Sequence, residues 1–561
     1  MNGTNAIVRV DGIFVRASAL LATGLLLGGA VAGLVGTLLA AFGYFPSLGR
    51  EELVFDHWAK LMAMPGLFDA CLLSLTTGFF ATALSFLIAM LVLAYAHDTK
   101  GFGVLRHLLS PLLAVPHAAV AMGLALVIAP SGLIFRLAGL DRPPDWLIVH
   151  DAWGMSLMAG LILKEVPFLF LVSLAALPQL RPQPQLHGAR MLGYGRVTAF
   201  AKVILPQLYG RIRLPLLAVL SYSAAPPEMA LILGPQDPPL LVVMILRWMN
   251  APELDLRMLA NAGAVLQLGL VVGLIFFWRG LERLAARLGG VVAVSGDRST
   301  LELPLRFGGI TSSVVFSLVL ALAFVSLVLW SVAASWRFPE LLPPEFTLIH
   351  WARAWSSAAG PLLTSLWIGF AVAGVSLWLV AASLERPESR LIELAIYAPL
   401  ILPQIAILMG LQWLILPFGT GGIWPAVLLA HLLFVLPYVW LSLSGPWRGF
   451  DRRYEQAARL LGAGRVRVFW LVRVPMMAAP LLTAFAVGFA VSAGLYLPSL
   501  LPGGGRVLTI TTEAVALSSG GDRRVIGIYA LLQGAVPFFG FALTFILPSL
   551  LFRNRRGMRG A

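Results

Sequence analysis

The chain has 561 residues, of which 59% are hydrophobic and only 12% are Asp, Glu, Lys or Arg. An ordinary soluble domain is about 45–50% apolar and about 25% charged. A mean hydropathy of +0.88 therefore excludes a water-soluble protein, and spans of about 20 residues each leave no room for a large soluble catalytic domain. The formal net charge of +14 comes from 40 Lys and Arg against 26 Asp and Glu, and the single cysteine, Cys71, excludes internal disulfides, cysteine zinc sites and iron–sulfur clusters.

Twelve stretches are long and apolar enough to cross a bilayer: 17–42, 68–95, 106–130, 152–178, 211–233 and 261–279, then 310–335, 361–383, 391–417, 424–446, 478–500 and 525–552. None alternates with the period of a strand, and only helices and closed barrels satisfy their backbone in hydrocarbon, so all are predicted as helices. The first follows Arg9 and Arg16 but is far longer than the roughly 7–15-residue core of a signal peptide, and is expected to remain as an anchor.

An even number of spans puts both termini on one side. The loops on that side carry 28 of the Lys and Arg and those opposite carry 11, while Lys164 lies within a span. By the positive-inside bias the termini are expected in the cytoplasm. The basic balance is then topology and not a nucleic-acid surface, for which no loop is large enough.

Two loops on the cytoplasmic side align without gaps at an offset of 269 residues. One runs from His187 through Gly188, Ala189, Arg190, Gly193 and Arg196 to Pro206; the other runs from Gln456 through Ala457, Ala458, Arg459, Gly462 and Arg465 to Pro475. Ten of twenty positions are identical. Weaker echoes pair Ser74-Leu75 with Ser365-Leu366, Val115-Pro116 with Leu402-Pro403, and Met122-Gly123-Leu124 with Met409-Gly410-Leu411. The chain reads as two six-helix units in parallel orientation. In each loop, small residues give a short helix a bare face, and Gly193 or Gly462 can end it in a left-handed conformation. Such a helix, held out of the membrane by a packed base, suits docking of another surface.

The two loops resemble the EAA motif of permease subunits of type I ABC importers, with His187 and Gln456 where that family has Glu, Glu455 one position early, and Gly188 in place of an Ala. The fused double-length arrangement resembles the thiamine and ferric-iron permeases. The tract from Ile232 through Pro239 to Arg247-Trp-Met-Asn250 is most similar to the YnjC-type branch. The resemblance implies an all-α polytopic protein of two permease halves in the bacterial inner membrane. Two copies of an ATPase subunit would bind the loops, and an extracytoplasmic binding protein would meet outer loops such as 43–67, 234–260 and 336–360. The expected organisation is a cytoplasmic N-terminal segment, first span and outer loop (1–67), a first permease half (68–279), a cytoplasmic linker (280–309), a seventh span and outer loop (310–360), a second half (361–552) and a basic tail (553–561).

The chain itself has no phosphate-binding loop of the Gly-x-x-x-x-Gly-Lys-Ser/Thr type. Its four lysines, Lys60, Lys100, Lys164 and Lys202, are followed by Leu, Gly, Glu and Val. No cofactor is therefore expected in this chain, with ATP and magnesium on the partner, and no catalytic set is apparent. The histidines, including His97, His107 and His117, fall at no metal-ligand spacing. Charges inside spans are rare and functional by default, which makes Lys164, Glu165 and Glu228 the candidates for a translocation pathway. Lys164 and Glu165 correspond to Phe434 and Val435 of the second half, and Glu228 corresponds to Leu497. The other reading of the same architecture is an ion- or proton-coupled secondary transporter with two six-helix halves.

Overall fold

The computed structural model describes residues 16–551 apart from 47–48, 98, 100–102, 104–113, 295, 297, 299–301, 387–389, 416–418 and 420–421. The basic tail and the first residues of the N-terminal segment lie outside the described residues. Among the described residues ten helices are long and apolar enough to cross a membrane, and two bent pairs raise that number to twelve. Strands are absent among them apart from isolated bridges such as Phe45 with Arg50, as the need for internally satisfied backbone predicts.

The first half comprises α1 (Gly29–Ala41), α2 (Leu67–Ala96), α3 (His117–Ile128), α4 (Met155–Ala176), α5 (Pro182–Met191), α6 (Leu205–Ala224), α7 (Pro227–Leu233), α8 (Leu241–Met249) and α9 (Leu254–Val294). The second half follows with α10 (Glu302–Val332), α11 (Ile349–Leu384), α12 (Gln404–Ile415), α13 (Ile423–Arg448), α14 (Arg453–Leu460), α15 (Ala478–Gly494), α16 (Leu497–Gly503), α17 (Ile510–Ser518) and α18 (Arg523–Leu551). The stretch read as a linker, 280–309, carries the end of α9 and the start of α10.

Prolines break three of the spans that the sequence drew as straight. The stretch 391–417 bends by 101° between Leu394–Ile401 and Gln404–Ile415, at Pro403. Its counterpart Pro116 is extended and starts α3 only at His117. The stretch 211–233 stops at Ala224 and resumes as α7 after Pro226. A proline lacks the amide donor that would continue the helix, and each break frees a carbonyl that must find another donor. In the first half, Gln267 of α9 donates to the Ala224 carbonyl at 3.2 Å. In the second, the equivalent carbonyl of Ala493 accepts from Thr511 at 2.6 Å, and Gln533 donates to that hydroxyl at 3.0 Å.

The sequence echoes mark matched packing. Ser74 accepts from the Leu241 amide that opens α8, and Ser365 accepts from the Ile510 amide that opens α17, at 3.2 and 2.9 Å. Gly123 on α3 sits against Ala323 and Leu327 of α10, while Gly410 on α12 sits against Gly33 and Thr37 of α1. Each half thus packs its first helix on the other half. A Cβ on Gly410 would collide with the Gly33 carbonyl, and Thr37 donates to the Ala406 carbonyl at 2.7 Å. Lipid offers no hydrophobic drive for helix association, so close approach of small residues is what holds such crossings.

Of the loops expected to meet a binding protein, 234–260 is largely buried in the bundle. It contains α8, whose residues are buried except Arg247. Its continuous apolar run from Leu240 to Leu246 packs into the bundle.

Candidate functional site

The repeated loops have the same backbone path. The chain leaves the short helix α5 through Gly193, with φ 87°, and leaves α14 through Gly462, with φ 84°. The amides of these glycines close the helix on the Arg190 and Arg459 carbonyls, both at 2.9 Å. Beyond each glycine a helical turn begins at Arg196 or Arg465 and passes through one π-helical turn, Phe200–Ile204 and Phe469–Arg473. Within the loops, His187 and Gly188 are exposed and Ala189 is buried, with Arg190 and Arg196 half-buried. In the other copy Gln456, Ala457, Arg459, Gly462 and Arg465 are exposed, and Ala458 is half-buried. The bare face is therefore shared, since Ala189 packs inward while its neighbour Gly188 faces out.

The bases of the two loops differ. In the first, Arg196 donates to the Tyr95 carbonyl at 2.7 Å and lies over the Tyr95 ring. The Glu302 carboxylate accepts from the amides of Val197 and Thr198 at 3.2 and 2.9 Å, capping that turn. A Cβ on Gly195 would overlap this carboxylate, whereas Gly464 faces open space. In the second loop the base is ionic. Glu455, 8% exposed, pairs with Arg473 at 3.4 Å, and Arg473 also pairs with Glu385 at 2.6 Å and stacks over the Trp447 ring. The acid that stands one residue early in the motif thus fixes its own loop. In each loop the helix tip carries its two most exposed large apolar groups, Met191 and Leu192 at 89% and 62% in the first, Leu460 and Leu461 at 88% and 89% in the second.

Inside the bundle, the three charged residues singled out in the spans are all buried: Lys164 is 7%, Glu165 5% and Glu228 5% exposed. Lys164 and Glu165, neighbours on α4, both reach the segment leading into α3. Lys164 donates to the Val115 carbonyl at 2.6 Å, and Glu165 meets His117 Nε2 at 3.2 Å. The His117 ring lies 4.4 Å from the Tyr222 ring, centroid to centroid, and the Tyr222 hydroxyl donates to Glu228 at 2.7 Å. Helices α3, α4, α6 and α7 thus build one polar chain, Glu165–His117–Tyr222–Glu228. The second half contributes phenols: Tyr438 of α13 lies in electrostatic range of Glu165, and Tyr496, just before α16, in range of Glu228.

His117 and Tyr222 were not legible as site residues. Metal-ligand spacing does not single out this histidine, and the signal in the sequence is its place directly after a span-breaking proline. The chain is confined to one half. At the positions equivalent to Glu165 and Glu228 the second half has Val435 and Leu497, both buried. Its own buried histidine, His431, is tied instead to Ser492 and Ser499 at 2.9 and 3.0 Å.

The sequence profile of binding-protein-dependent transport system inner membrane components matches residues 374–554. The inner membrane ABC transporter permease protein YnjC of Escherichia coli is 31% identical over 518 residues, covering 91% of this chain and 94% of that protein. The probable ABC transporter permease protein y4fN of Sinorhizobium fredii is 26% identical over 415 residues, covering 67% of this chain and 69% of that one. The putrescine transport system permease protein PotI of Escherichia coli is 27% identical over 159 residues, 27% of this chain and 57% of its own. With that likeness running through both halves, the chain belongs to the inner-membrane permease components of binding-protein-dependent ABC transporters.

Proposed function

We propose that this chain forms the whole membrane pathway of an ATP-driven importer and docks two ATPase subunits through α5 and α14. The observation that carries the reading is the pair of apolar tips, Met191-Leu192 and Leu460-Leu461, displayed at equivalent points of two loops otherwise rich in arginine. Exposed apolar side chains rimmed by charge are what a protein partner covers. The loops and both termini lie in the cytoplasm by the charge asymmetry. ATP and magnesium belong to the partner, whose closure draws the two loops together and swings the halves as rigid bodies between inward- and outward-facing states. A binding protein delivers the substrate from the other side.

Lys164, Glu165 and Glu228 line the pathway in this reading. Relatives do not fix the cargo, since their names specify putrescine, sulfate and molybdenum transport. The test is co-purification of the full chain with its ATPase. Met191→Asp with Leu192→Asp, or Leu460→Asp with Leu461→Asp, should lower ATPase recovery while the permease stays monodisperse. Both together should abolish it. Uptake by the chain alone, driven by a proton gradient, would establish the secondary-transporter reading instead.

A further inference from the structure

Glu228 is the carboxylate that the polar chain leaves without a counter-charge. Its neighbours account for one another: Glu165 meets His117, and Lys164 lies beside Glu165 and donates to a backbone carbonyl. Glu228 is 5% exposed, accepts from the neutral Tyr222 hydroxyl, and among the described residues has no Lys, Arg or His within ion-pair distance. An ionised carboxylate buried without a counter-charge is costly, and a single phenol hydrogen bond does not offset that cost. The position is therefore complementary to a cation that comes and goes.

The surroundings narrow the kind of cation. Tyr222 and His117 from the first half stand beside Glu228 and Glu165, and Tyr438 and Tyr496 of the second half lie within electrostatic range of the same carboxylates. Aromatic faces attract ammonium groups, more strongly when desolvated. A hard metal ion instead needs about six or more oxygen ligands, and no three His, Cys, Asp or Glu side chains gather as metal ligands among the described residues. We infer that Glu228, with the Tyr222 and His117 rings linked beside it, forms a recognition point for an organic ammonium cation on its way through the membrane. This rests on the reading of that interior as the translocation pathway.

The single native cysteine makes the test direct. In a Cys71→Ser background, Tyr438→Cys or Tyr496→Cys is introduced into the full chain in nanodiscs. Modification is timed with a trimethylammonium-ethyl methanethiosulfonate and with its sulfonatoethyl analogue, with and without the partner ATPase. With each rate divided by that reagent's rate on a small free thiol, the cationic reagent should be favoured about tenfold, and Glu228→Gln should bring that normalised ratio close to one. Tetramethylammonium should slow the cationic reagent more than manganese(II) does at equal ionic strength. A ratio that Glu228→Gln leaves unchanged, or protection by manganese(II) alone, overturns the inference and leaves the pathway reading standing. Failure of both cysteines to react in any state removes the pathway reading and the inference with it.

Discussion

Glu455 and Arg473 form a 3.4 Å ion pair at the base of the second repeated loop, where the first loop has Leu186 and Ile204, 2% and 0% exposed. One backbone path is thus held by charge in one copy and by apolar packing in the other. Removing one partner of a buried pair is strongly destabilising, whereas replacing both by packed apolar groups is often neutral. Arg473→Ile should therefore lower the thermal midpoint of the purified protein, by a loss of about 3 kcal/mol. Glu455→Leu should cost less, because Arg473 keeps Glu385 at 2.6 Å. The double replacement should recover much of the Arg473→Ile loss, as a double-mutant cycle on thermal midpoints would read.

Gly195 and Gly464 hold the same place in the repeat but not the same space. Gly195→Ala should displace the Glu302 cap, loosening the first loop by about 1 kcal/mol and raising its sensitivity to limited proteolysis. Gly464→Ala should leave the second loop's cleavage rate unchanged, since nothing lies within contact of the added methyl.

The crossing of α1 and α12 has no slack. Gly410→Ala should abolish monodisperse expression, because the methyl meets backbone at Gly33 and Thr37 that no rotamer can relieve. Gly374→Ala, on α11 with open space around it, should express like the parent. Fluorescence-detected size-exclusion profiles separate the two outcomes.

In the loop between α1 and α2, His57 is 3% exposed, and among the described residues neither ring nitrogen has a hydrogen-bond partner. Burial, with Lys60 and Arg50 nearby, holds its imidazole below the ordinary histidine range. The unfolded chain then binds a proton at higher pH than the folded one, so this contribution to stability is full above about pH 6.5 and is lost as the pH falls toward the folded value. The thermal midpoint of the parent should drop more steeply than that of His57→Leu between about pH 7 and about pH 5. Parallel slopes for the two proteins would place the acid sensitivity elsewhere.

The apolar stretches and the loop repeat were legible because hydrophobic run length and near-identical residues are local signals. Gly193 and Gly462 were legible for the same reason: a helix that must stop and reverse requires a left-handed residue, and both have positive φ. The bend at Pro403 is hidden in the sequence because the apolar run continues across the proline, and the same holds for the break after Ala224, whose freed carbonyl is met by Gln267. Lys164, Glu165 and Glu228 stood out as charges in hydrocarbon. Their links to His117 and Tyr222 did not, since those contacts join helices separated by 48 residues in one case and follow a helix break in the other.

The exchange of first helices has a consequence for biogenesis. Thr37 meets its acceptor, the Ala406 carbonyl, 369 residues further along the chain. During synthesis the glycine face around Gly33 must wait in the bilayer, unpaired, until most of the protein has been inserted. Two separately encoded halves would have to find each other by diffusion to cover that face. Fusion into one polypeptide makes the same meeting an intramolecular event, whose entropic cost grows only slowly with the length of the intervening chain.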